Sequence, residues 1–217
     1  MTMSADWATI SSLATAGGTL VLAVATFASV RSGNRAARAA ERSLLIGIRP
    51  LLMPSHPQDV EQKIMFVDSH WVKAPGGGAT AEAVDGAIYL TLSLRNAGSG
   101  MAVLHGWVFH PDRILENTHP AASDFRRLAR DIYVPASNIG FWQGTFRDPQ
   151  TDEFAIAAQA INARNTLTID LLYGDHEGGQ RTISRFILTR EDDDQWRCGV
   201  VRHWALDGVD PRLTSHR

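Results

Sequence analysis

The hydrophobic pattern changes twice along the 217-residue chain. Residues 7–30, WATISSLATAGGTLVLAVATFASV, carry no charged side chain. At about 1.5 Å per residue, 24 helical residues reach roughly 36 Å, enough to cross a bilayer core. The next stretch, RSGNRAARAAERSLLIGIRP, is amphipathic instead. Arg31, Arg35, Arg38 and Arg42 recur at i, i+4, i+7 and i+11, within an arc of about 60° on a helix, opposite Gly33, Ala37, Ala40 and Leu44. This spacing predicts one helix through both stretches, ending near Ile48 or Arg49, because Pro50 disfavours helix in the residue before it.

From Leu51 onward the period falls to two. In AIYLTLSLRNAGSG, Ile88, Leu90, Leu92 and Leu94 face one side and Tyr89, Thr91, Ser93 and Arg95 the other, as in a half-buried antiparallel strand. The Asn96–Gly100 stretch reads as a turn and MAVLHGWVFHP as the second strand of a hairpin. Further strands are predicted at 63–67, 140–146, 166–174, 181–189 and 195–204, with DHEGGQ as a hairpin loop and APGGGAT (74–80) as a flexible one. Short helices are predicted at FRRLAR, after Ser123-Asp124, and at FAIAAQAINA, after Thr151. The expected class is mainly β: an antiparallel, immunoglobulin-like β-sandwich over residues 50–205, with one or two short helices. Before it stand a tail (1–6), a transmembrane helix (7–30) and a basic juxtamembrane helix (31–49), and after it a tail (206–217).

Charge adds an orientation. The net charge of −2 argues against a nucleic-acid partner, but the five arginines between 31 and 49 make the N-terminal end basic. No Lys or Arg precedes the apolar run, so the positive-inside bias places the N-terminus outside the plasma membrane and the main domain in the cytoplasm. A cleaved signal peptide, with Ala23-Val24-Ala25 as its site, would need a basic segment ahead of the apolar run, and MTMSAD has none. Trp7, Arg31, Arg35, Arg38 and Arg42 are the expected membrane-interface residues and the lipid bilayer the expected partner. In an upright helix Arg42 stands about 18 Å beyond Val30, past a Debye length of about 8 Å. Contact of all four arginines with lipid therefore requires a bend, or the alanine face packs against a second copy. Ser11, Ala14, Gly18 and Ala25 form a small-residue face suited to a homodimer through the transmembrane helix.

Two resemblances follow from quoted segments. RNAGSGMA resembles the N-x-G-x-x-x-A corner of bacterial immunoglobulin-like adhesion and CARDB-type modules. The apolar run with RAARAAER, then IGFWQGTFRDP, LLYGDHEGGQRTISRF and VVRHW, is similar to uncharacterised membrane-anchored proteins of actinobacteria. That group has no assigned activity, so the likeness implies an architecture and no functional residues.

The polar clusters offer little chemistry. Asp175, His176 and Glu177 are adjacent in a tight turn, where side chains diverge, and no H-x-x-x-H or C-x-x-C completes a metal site. His203 lies near Asp207 and Asp210, but no G-x-S-x-G supplies a nucleophile. EDDDQW (191–196) reads as a hairpin turn, with calcium binding as a remoter use. Cys198, the single cysteine, reads as a small packed hydrophobe and, five residues from His203 on a strand, as facing away from it. His105 shares a strand face with Trp107, and Phe141-Trp142 supplies aromatic area. With Asp175, His176, Glu177 and His203 these form the expected ligand or partner surface. The sequence thus points to a membrane-anchored binding or scaffold protein with a protein partner, no cofactor, no metal and no catalytic residues. The alternative is a tethered enzyme or small-ligand or metal sensor built on the 173–177 and 202–210 loops, and it requires their histidines and acids to converge.

Overall fold

In the computed structural model, residues 3–191 and 195–207 are described, without the side chains of residues 3–9, Arg42 and Ile46. The chain divides into two units, Met1–Ile46 and Gly47–Arg217. The first is a single helix, α1 (Met3–Gly47), long and apolar enough to cross a membrane. It ends three residues before Pro50, and its described residues from Ile10 to Glu41 are all exposed. Arg31, Arg35 and Arg38 therefore share one face of a continuous helix, as do Ser11, Ala14, Gly18 and Ala25. The side chains of Trp7 and Arg42 lie outside the described residues, as do the acids 192–194 and residues 208–217.

The second unit contains β1 (Leu52–Pro54), β2 (Gln62–Met65), β3 (Trp71–Ala74), β4 (Gly78–Val84), β5 (Ala87–Asn96), β6 (Ala102–His110), β7 (Arg126–Val134), β8 (Ile139–Phe146), α2 (Asp152–Asn162), β9 (Leu167–Gly174), β10 (Thr182–Arg190) and β11 (Trp196–Ala205). It is mainly β, with a nine-stranded antiparallel sheet and a separate two-stranded one. One antiparallel sheet runs in the order β8-β5-β4-β11-β10-β9-β6-β7, with β1 beside β4 on the same edge of β5, and curls into a half-barrel. β4 and β11 share only two residue pairs, Ala79–Trp196 and Gly78–Arg197. The core fills its concave side with Leu90, Leu92, Leu94, Trp107, Trp142, Ile169, Leu171, Tyr173 and Phe186, and Ala157, Ala160 and Ile161 of α2 pack against it. Thr151 caps α2 as predicted, accepting from the Phe154 amide at 3.3 Å.

Four expectations are corrected. β5 is buried on both faces, because the separate β2–β3 hairpin packs Ile64, Phe66 and Val72 over Ala87 and Tyr89 on the side expected to face solvent. β5 and β6 do not pair: Asn96–Gly100 is a corner carrying the chain across the half-barrel, not a hairpin turn. FRRLAR is strand, with Leu128, Ile132 and Val134 facing the core at even spacings. APGGGAT is packed: a Cβ at Gly76 would strike the His56 and Asp59 carbonyl oxygens, and Gly77 adopts φ +66° while donating to Ser55 Oγ at 2.9 Å.

The corner has a single organiser. Asn96, fully buried, accepts from the Leu51 and Gly98 amides (3.1 and 3.0 Å) and donates to the Gly100 and Val134 carbonyls (2.7 and 3.0 Å). All four hydrogen-bonding positions of the amide are used. Beside it, segment 48–51 lies so close to Gly98 and Gly100 that a Cβ at either would overlap its backbone.

Candidate binding cleft

The half-barrel stays open between β7 and β8. These strands are joined by the short turn 135–138, yet β7 pairs only with β6 and β8 only with β5. At the turn end they are close: a Cβ on Gly140 would meet the Val134 side chain at 2.6 Å. Farther along, side chains replace backbone pairing across the seam. Arg130 donates to Gln143 Oε1 at 2.9 Å and Arg126 reaches the Thr145 carbonyl at 3.5 Å.

A chamber of 260 Å³ lies in this seam. Arg126, Arg127 and Arg130 of β7 and Arg147 just beyond β8 line it, with Trp107 and Gly144 beneath and Phe66 and Val67 of the β2–β3 connection at one side. The guanidinium of Arg126 sits 5.2 Å from the Trp107 ring centre and 5.0 Å from that of Phe146, and Arg130 lies 5.7 Å from Phe141. Arg126 is ion-paired with Glu153 and Arg147 with Asp68. Arg130 has only the neutral Gln143 amide and the Phe141 ring, and Arg127 has no ion pair or hydrogen bond among the described residues. Burial acts to raise the Asp68 carboxyl, but hydrogen bonds from Tyr89 and Arg147 outweigh it and lower its pKa to about 2.

A second chamber, of 270 Å³, adjoins the first across Trp107 and Arg126. Its lining is largely apolar, from Val108, Phe109, Pro111, Phe146 and Ile156, with Asp124 and Glu153 alongside.

The residues singled out from the sequence scatter. Trp107 is buried beneath the cleft, edge-on to Trp142 at 5.3 Å, and Phe141 lies under Arg130, so this aromatic part of the expected surface does come together. Trp142 is fully buried, its indole Nε1 without a partner among the described residues. His105 lies against Gly174, where burial and then the Arg181 charge push its pKa down, and it does not line either chamber. Asp175 is spent on its own turn, accepting from the Glu177 and Gly179 amides at 3.0 and 2.8 Å, while His176 and Glu177 stay exposed at the tip.

His203 belongs to a buried relay. The Leu52 amide donates to Tyr173 Oη at 3.1 Å, Tyr173 Oη lies 2.8 Å from Ser184 Oγ, and Ser184 Oγ lies 2.6 Å from His203 Nδ1. The hydroxyls of Tyr173 and Ser184 can each donate or accept, so the direction of the chain follows the His203 tautomer. Ser184 is fully buried, so this serine–histidine pair presents no nucleophile to solvent. An extra residue, Val201, bulges β11 between the Arg185–Arg202 and Phe186–Val200 pairs. The bulge shifts the alternation, so Cys198 and His203 face the same side despite their odd separation, contrary to the regular-strand expectation. Asp207 is held by Arg181, and Asp210 lies outside the described residues.

The remaining buried charge is structural. Arg185 makes a two-pronged contact with Asp170 (2.8 and 2.7 Å) and donates to the Glu116 and Thr118 carbonyls (3.0 and 3.1 Å), pinning the 111–121 segment over the convex face. Against the burial that would raise it, Arg185 and then His110 hold the Asp170 carboxyl below its ordinary value. Among the described residues, no group of three or more His, Cys, Asp or Glu is placed to hold a metal ion.

The arginine cleft was missed in the sequence because its members sit on two strands whose separation no local pattern reveals. The available signal is the density of arginine in FRRLAR, a segment whose spacing fits a short helix as well as a strand. No family model, curated protein or solved structure matches the chain.

Proposed function

We propose that this is a membrane-anchored binding protein whose ligand site is the arginine cleft between β7 and β8. The open seam carries the reading: four arginines surround it, and only two of them meet a carboxylate. An excess of guanidinium groups over an aromatic floor suits recognition of an anion, and it supplies no nucleophile, acid or base for chemistry. α1 anchors the chain in the plasma membrane, and the arginines after its apolar run favour an N-terminus outside and a cytoplasmic β domain. The cleft then faces cytoplasmic ligands, or a protein partner with an acidic group to insert.

The test is native mass spectrometry of the full-length protein taken from its own membranes in nanodiscs, comparing wild type with Arg127→Ala/Arg130→Ala. A stoichiometric species retained by the wild type and lost from the double variant is the expected result. An equal yield from both, or none from either, refutes the cleft as the site. Labelling of an introduced Ser4→Cys by an impermeant reagent on intact cells tests the orientation, and protection of that thiol contradicts it.

A further inference from the structure

We propose that the cleft binds an amphiphilic anion: a phosphate or carboxylate head in the arginine chamber, joined to a hydrocarbon or ring portion in the apolar one. The inference rests on the cleft being a ligand site and adds the chemistry of what fills it. Charge balance fixes the head. Glu153 and Asp68 answer Arg126 and Arg147, which leaves Arg130 uncompensated over the aromatic floor, while Arg127, paired with Gly106 on the other face of the sheet, adds its charge at the rim. The planar guanidinium fork of Arg130 matches a phosphate or carboxylate oxygen pair better than a lone point charge would.

The second chamber fixes the tail. Phe109, Phe146, Pro111 and Ile156 offer no donor, and Ile156 is 48% exposed in the free protein, an apolar surface left open to water. The two carboxylates beside it are engaged, Glu153 by Arg126 and Asp124 by the Ala121 amide at 3.0 Å, and their charge would repel an anionic head. The ligand's polarity is therefore set: head towards Arg130, tail towards Ile156. Trp107 and Arg126 border both chambers, so one molecule passing them contacts both. At 260 and 270 Å³ neither chamber alone reaches the roughly 300–1,000 Å³ of ordinary small-molecule sites, but jointly they do. An inorganic anion would leave the apolar chamber wet, and a neutral hydrophobe would leave Arg130 unmatched.

The experiment measures binding of hexyl phosphate, inorganic phosphate and hexanol to the full-length protein in phosphatidylcholine nanodiscs, by calorimetry and by hydrogen exchange over 126–130 and 143–147. Hexyl phosphate should bind roughly tenfold or more tightly than inorganic phosphate, since the tail removes apolar surface from water. Hexanol should show no saturable binding. Arg127→Ala/Arg130→Ala should abolish binding of both phosphates, and Ile156→Glu should remove the hexyl advantage while sparing inorganic phosphate. All three positions are exposed, and an unchanged near-ultraviolet circular dichroism spectrum checks the fold. Equal, arginine-dependent affinity for the two phosphates overturns the amphiphile while leaving the cleft an anion site. Arginine-independent binding, or none, overturns the proposal, and the native mass spectrometry above decides separately whether the cleft holds anything. Where binding is seen, nanodiscs containing phosphatidylglycerol separate the sources: competition assigns the natural ligand to the bilayer, and unchanged affinity assigns it to the soluble pool.

Discussion

Replacing Asn96 by alanine should be among the most damaging single changes in the domain, although the residue is neutral and far smaller than the core aromatics. Its amide serves four backbone groups, two of which, the Gly100 and Val134 carbonyls, are joined by buried bonds. A buried group left unsatisfied costs about 1–3 kcal/mol, while the partly buried Leu51 and Gly98 amides recover most of their loss from water. The sum is about 3–5 kcal/mol, a large share of the roughly 5–15 kcal/mol that holds a domain together. With a urea slope of about 2 kcal/mol/M, the midpoint of the full chain in detergent, followed by tryptophan fluorescence, should fall by roughly 2 M. Asn96→Asp keeps the volume and both acceptor contacts but aims an oxygen at two carbonyls, and should be at least as harmful. A loss below about 1 kcal/mol for either variant would show that the corner is held by the close packing of 48–51 on Gly98 and Gly100, not by this amide.

Arg185→Met should cost about 3–5 kcal/mol by stranding Asp170 in the interior, and should speed hydrogen exchange across 112–121; Arg185→Met/Asp170→Leu should recover most of the stability but not the protection. A single variant losing under 1 kcal/mol would show that His110 alone satisfies Asp170. The Asp68 carboxyl has a folded pKa of about 2 against 3.8 unfolded, so its stabilisation is complete above the unfolded value and is lost as pH falls through about 2. Discounted for a side chain 30% exposed, it contributes about 1–2 kcal/mol; Asp68→Asn should lose this at neutral pH and flatten acid unfolding between pH 4 and pH 2, and an unchanged acid limb contradicts the tie. Burial pushes the Cys198 thiol up to about 12 although the residue as a whole is only partly covered, so Ellman's reagent should react only after unfolding. Reaction of the native protein at the rate of a free thiol would place the sulfur on the surface.

The alternation in β5, β6, β8, β9, β10 and β11 was legible because one side of each packs on a single core, and the α2 start was legible because Thr151 caps it. What sequence could not supply was the second layer: Tyr89 looks solvent-facing until the β2–β3 hairpin covers it, and Ser93 until Ser55 packs against it. FRRLAR satisfies a helical period and a strand period alike, and the choice falls to Leu128, Ile132 and Val134 reaching the core. RNAGSG announces a turn but not its destination, which is decided by the bond from Asn96 to Val134, 38 residues away. For the site, Trp107 and Phe141 were visible as aromatics, whereas Arg126, Arg127 and Arg130 gain meaning only from a neighbouring strand to which they are not paired.

A sheet that stops short of closing has two unpaired rims, and rims recruit strands from other molecules. In this domain the rims face each other across a row of guanidinium groups, so a second copy approaching either one would bring its own positive row against the first. The same charge that suits a small anion therefore opposes edge-to-edge pairing of two copies along this seam.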